Sequence, residues 1–140
     1  MQDPAWERYN HEMKSRDGCR VPLPWTRGGS SFGFGSNGSH LPQPSWFGDY
    51  SVEAEDGDPE STLTMYRAAL ALRRELNSGD SMKWVDSPAN TLHVDRGNGW
   101  HIVTNFGQEP IAMPAGELVL CSAECDGGML PGNATAWLKA

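Results

Sequence analysis

The run Ser15-Arg16-Asp17-Gly18-Cys19-Arg20-Val21-Pro22-Leu23-Pro24-Trp25 crowds arginine, aspartate, proline and tryptophan into one short stretch that follows neither a helical nor a strand period. Arginine and aspartate on a proline-braced loop can hydrogen-bond hydroxyl groups. A tryptophan beside them offers a flat apolar face to the C–H side of a sugar ring. The same residues also fit a purely structural ion-pair cluster of Arg16, Asp17 and Arg20 that stabilises the loop, and physics alone leaves both readings open.

The remaining candidates point to bland roles. Gly33-Phe34-Gly35-Ser36-Asn37-Gly38 matches GxGxxG as a string. It lacks the preceding strand, the following helix and the acidic residue about 20 positions on that cradle a dinucleotide. Cys121 and Cys125 could give two zinc ligands, but no second pair accompanies them, and a core or turn role is expected. His11, His40, His93 and His101 are scattered, and none pairs by spacing with a nucleophile. The acidic stretch from Glu53 to Glu60 lacks the spacing of an EF-hand loop and suits a helix start. No catalytic residue, metal or cofactor is assigned.

The elements that must position these residues sit in a chain of 140 residues and 15.3 kDa, enough for one domain or a small domain plus part of another. Eleven Lys+Arg against 18 Asp+Glu give a formal charge of −7. That balance opposes the counterion release behind nucleic-acid binding and the attraction to anionic membranes, so neither is an expected partner. There is no apolar run near a span of roughly 20 residues and no basic, apolar leader at the start. Three cysteines are an odd number, which suits reduced thiols. Together these features predict a soluble, cytoplasmic chain.

From Met1 to Gly57 short aromatic words alternate with glycine, proline, serine, asparagine and aspartate. A structureless stretch this long is unusual in a compact domain, and its aromatic content is unusual for disorder, so it reads as long loops built to pack on something else. Residues 59–77 read as a helix with Asp58 as N-cap, Pro59 in its first turn and Gly79 at its end. Its stripe of Leu63, Tyr66, Ala69, Leu70, Arg73 and Leu76, widened by Met65 and Leu72, predicts that about half its surface is buried. From Ser81 the period becomes two. Strands are expected over 82–85, 91–95, 100–104 and 117–121 and near 135–138, with Arg96-Gly97-Asn98-Gly99 as a hairpin turn.

Several of these words resemble one family. Arg16-Asp17-Gly18-Cys19-Arg20-Val21-Pro22-Leu23-Pro24-Trp25 resembles the R-D-x-x-R-x-P-M-x-W word of bacterial α-glucosidases in glycoside hydrolase family 13, the α-amylase superfamily, in its oligo-1,6-glucosidase-like branch. Leu23 replaces the usual methionine, and His40-Leu41-Pro42 resembles W-L-P with histidine in place of tryptophan. Tyr50-Ser51-Val52-Glu53-Ala54-Glu55 resembles x-N-V-E-A-Q. Asp58-Pro59-Glu60-Ser61-Thr62-Leu63, with Tyr66-Arg67 and Leu72-Arg73-Arg74, resembles that branch's last barrel helix. Asn105-Phe106-Gly107 and Leu130-Pro131-Gly132-Asn133-Ala134-Thr135-Ala136-Trp137-Leu138 resemble words of its C-terminal β-domain.

The resemblance implies an α+β piece of a larger enzyme. Residues 1–79 would be the C-terminal end of a (β/α)8 barrel, with long rim loops and the helix at about 59–77, and residues 80–140 an antiparallel β-domain. The family's retaining hydrolysis needs paired carboxylates about 5–5.5 Å apart. The resemblance places these upstream of Met1, so the missing N-terminal barrel is the expected partner, the complete enzyme would take an oligosaccharide, and this chain alone is expected to be inactive. It assigns substrate binding to Arg20 at the terminal glucose subsite, with Asp17 orienting its guanidinium and Trp25 packing beneath the loop. The alternatives are a non-catalytic carbohydrate-binding or structural β-module, and a piece of a same-family transglycosylase such as a trehalose or isomaltulose synthase.

Overall fold

The computed structural model of the chain describes residues 3–13, 16–76 and 79–140. It forms two compact units, Met1–Thr64 and Met65–Ala140.

The first unit follows its glycine- and proline-rich sequence in having only single-turn elements. These are helix α1 (Ala5–Arg8), 3-10 turns at Arg16–Arg20, Ser30–Gly33 and Ser45–Tyr50, and helix α2 (Val52–Glu55). Main-chain hydrogen bonds tie the loops together. Trp25 and Thr26 N–H donate to the Phe32 carbonyl at 2.7 and 3.0 Å, and Glu53 N–H donates to the Trp25 carbonyl at 3.0 Å. Ser51 is fully buried; its hydroxyl donates to the Gly48 carbonyl at 2.8 Å and accepts the Ala54 N–H, capping α2. Gly48 is required for a close approach, since a Cβ there would lie 2.3 Å from the Arg27 carbonyl oxygen. Ser31 and Phe32 hold left-handed backbone, with φ of 50° and 48°, a costly conformation that the surrounding bonds enforce. Among the described residues Leu41 is the one buried hydrophobic side chain of this unit, while Trp25, Phe34, Trp46 and Tyr50 are exposed.

Helix α3 (Thr62–Leu76) starts three residues later than the sequence suggests. Asp58 accepts the Glu60 N–H within a preceding turn, and it is Ser61, accepting the Thr64 N–H at 3.1 Å, that caps the helix. Ser61 wins because its hydroxyl also donates towards the Glu55 and Asp58 carbonyls at 2.8 and 2.9 Å, anchoring the turn before the helix. The expected final residue, Asn77, lies outside the described residues. The expectation of a half-buried helix is met only in part: Leu63, Met65, Ala69, Leu72 and Leu76 of its stripe are partly buried. None of its residues is fully buried, and Tyr66 and Leu70 are 59% and 51% exposed. An apolar stripe specifies a face to be covered; burial also needs a surface to cover it.

In the second unit, β1 (Lys83–Trp84), β2 (Thr91–Asp95), β3 (Trp100–Asn105), β5 (Glu117–Cys121) and β7 (Ala134–Lys139) form an antiparallel sheet in the order β1-β2-β3-β7-β5. A bulge lies between Leu118 and Leu120 where β5 meets β7. β4 (Ile111–Ala112) pairs with β6 (Met129–Leu130) in a second, two-stranded sheet. The β2–β3 turn has Gly97, Asn98 and Gly99 all at positive φ, which matches its tight twist to that of the strands. Alternate residues of β7, namely Ala134, Ala136 and Leu138, are buried with Val103 and Leu130; Ile111, Met113, Cys121 and Cys125 pack around them.

Asn105 is the polar centre of this unit. It is buried, and its side-chain amide donates to the carbonyls of Glu109, Leu130 and Pro131 at 2.8, 3.3 and 3.1 Å while its oxygen accepts the Gly107 N–H at 2.9 Å. One side chain thus joins the Asn105-Phe106-Gly107 and Leu130-Pro131-Gly132 words. At Gly132 a Cβ would lie 2.3 Å from the Gln108 carbonyl oxygen, so only glycine lets the two segments meet.

Candidate functional site

The Arg16–Arg20 turn is organised by an aspartate from the start of the chain. Asp3 is 4% exposed, and its carboxylate accepts the Ala5 N–H at 2.9 Å and the Arg16 N–H at 3.3 Å. The same carboxylate faces Arg16 Nε at 3.5 Å and Arg20 Nη1 at 3.4 Å. The Ala5 N–H bond is the main force holding the Asp3 carboxyl below the ordinary aspartate value. The Arg16 N–H and the charges of Arg20 and Arg16 add to it, against the upward push of burial. Asp3 is therefore a buried anion whose acceptor sites are taken up by two main-chain donors and two guanidinium groups.

The three residues singled out from sequence fall on one loop system. Asp17 lies within the turn and its Oδ2 accepts the Asp3 N–H at 3.3 Å. Arg20 ends the turn with its side chain 46% exposed, and among the described residues Asp3 is the carboxylate paired with it. Trp25 follows with its ring half exposed and its main chain bonded to Phe32 and Glu53. Beside the turn, Gly18, Cys19, Leu23, Trp46, Phe47 and Tyr50 line a hollow of about 360 Å³. Trp46 stands perpendicular to Tyr50 with ring centres 5.9 Å apart.

A guanidinium fixed at one edge with its remaining donors open can read paired hydroxyls, and the neighbouring exposed aromatics suit the C–H faces of a sugar. Sequence reasoning missed Asp3. Its only signal is Asp3-Pro4, a turn-forming pair that says nothing of an arginine 17 residues away.

The second unit holds two close pairs of titratable groups. His93 Nε2 lies 3.1 Å from His101 Nδ1 across β2 and β3. Burial lowers the His93 pKa, the charge of His101 adds to this, and Asp95 opposes it. The Cys125 thiol is pushed up to about 11 by burial and by the adjacent Cys121 thiol, which makes it a weak nucleophile at neutral pH. Among the described residues no group of three or more histidine, cysteine, aspartate or glutamate side chains could hold a metal ion, and no helix is long and apolar enough to cross a membrane.

No family model matches the chain. It is 36% identical over 102 residues to a probable alpha-glucosidase of Rhizobium meliloti (strain 1021), a match covering 71% of the chain and 18% of that protein. Its fold is similar to that of an isomaltulose synthase from Klebsiella sp. LX3, with a TM-score of 0.75 and 19% identity over 96% of the chain and 30% of that structure. A trehalose-6-phosphate hydrolase from Bacillus licheniformis gives a TM-score of 0.68 and 16% identity over 97% of the chain and 28% of that structure. The chain thus spans less than a fifth of the curated relative and less than a third of each structure. These similarities agree with the resemblance carried by the sequence words, to one part of the α-glucosidases of glycoside hydrolase family 13.

Proposed function

We propose that the chain is the C-terminal portion of an intracellular α-glucosidase that releases terminal α-linked glucose by a retaining mechanism. Residues 1–79 complete the catalytic barrel and its rim, residues 80–140 form the appended β-domain, and the paired catalytic carboxylates lie in the preceding part of the enzyme. The observation that carries this reading is the 36% identity to a probable alpha-glucosidase over most of the chain. Two structural features support it. Tyr66 and Leu70 of α3 and Trp25, Phe34, Trp46 and Tyr50 of the first unit are exposed, as expected of surfaces made to meet a barrel. Arg20 also stands with its guanidinium half exposed on an anchored turn.

On this reading Arg20 donates to two hydroxyls of the non-reducing glucose, Asp17 steadies the turn, and Trp25 lies beside it. In the parent enzyme Arg20→Ala lowers kcat/KM for maltose and isomaltose by roughly 30-fold or more, since each of the two unpaired hydroxyls costs at least about 1 kcal/mol. Steady-state kinetics with an unchanged kcat/KM would show the arginine to serve only the fold.

A further inference from the structure

We propose that Asp3 is the positioning residue for Arg20, holding its guanidinium at one edge so that the opposite donors face the substrate; this rests on the α-glucosidase reading above. The geometry favours Asp3 because its carboxylate is fixed before it meets the arginines. The Ala5 N–H at 2.9 Å and the Arg16 N–H at 3.3 Å pin the oxygens to the main chain, and the side chain is only 3% exposed. Asp17 acts one step back by accepting the Asp3 N–H. Arg16 shares Asp3 through Nε, yet its side chain is 75% exposed against 46% for Arg20, so Arg20 is the better enclosed of the two. Asp3 engages one edge of the Arg20 fork, at Nη1. A planar fork held at one edge keeps its other donors in a fixed plane, which a flexible arginine lacks.

Asp3→Asn tests this in the parent enzyme, because the amide oxygen can keep the Ala5 N–H bond made to Oδ1, while the charge and the second acceptor, Oδ2, which faces Arg16 and Arg20, are lost. The expected result is a roughly tenfold fall in kcat/KM for p-nitrophenyl α-glucoside. Asp3→Asn combined with Arg20→Ala is expected to be no worse than Arg20→Ala alone. Guanidinium ion is expected to restore part of the activity of Arg20→Ala but not of the double variant, a readout that loss of fold stability does not produce. If Asp3→Asn proves too unstable to assay, the guanidinium rescue is compared between Arg20→Ala and Arg20→Ala with Asp3→Glu, which keeps the charge but displaces it, and rescue is expected to be lost. Additive losses, or rescue that persists without Asp3, overturn the proposal. A parent enzyme without α-glucosidase activity overturns the functional reading instead.

Discussion

At the scale of single residues, buried polar side chains join segments distant in sequence, beside the apolar core of the second unit. Asn105 bonds three carbonyls and one N–H at once, and Asn105→Ala removes all four bonds, one of them to the buried Leu130. The expected cost is roughly 2–4 kcal/mol, read as a lower Tm for the second unit, while Asn105→Asp keeps the acceptor and loses the donors. A Tm unchanged in both variants would mean that water replaces the amide. The Asn105-Phe106-Gly107 word was legible in the sequence, but its job was not, because the carbonyls it binds lie up to 26 residues away. Asp3 illustrates the same limit: Arg20 stood out by its dense local word, whereas its partner is defined only once the chain folds back.

At the scale of elements, the period-two pattern located β2, β3, β5 and β7 closely, because alternation survives wherever one face of a sheet is covered. β4 and β6 were not foreseen, since two residues carry no period. The start of α3 shifted to Ser61 through carbonyl contacts that no capping preference encodes. The β2–β3 pair adds a pH response. The His93 pKa is lowered in the fold, so the unfolded chain binds more protons in acid, and stability is lost as pH falls from about 6.5 towards the lowered value. Thermal unfolding of the second unit followed between roughly pH 7 and 5 is expected to show this loss. His93→Gln is expected to flatten it, and an identical slope in that variant would exclude His93 as its source.

At the scale of the whole molecule, the exposed Trp25, Phe34, Trp46 and Tyr50 of the first unit and the exposed Tyr66 and Leu70 of α3 have one explanation under the proposed function. Both would be surfaces that meet a larger body; the chain spans 18% of its curated relative and 30% of a solved structure that shares its fold. On that reading the family words name that body, the catalytic barrel. Under the proposed function this chain binds sugar on behalf of catalytic carboxylates that lie outside it. The most direct measurement is hydrolysis of p-nitrophenyl α-glucoside by the 140-residue chain and, in parallel, by the longer protein that includes the preceding barrel. Turnover is expected from the longer protein alone. Turnover by the 140 residues that disappears when one of their own carboxylates, such as Asp17, is changed would contradict the account.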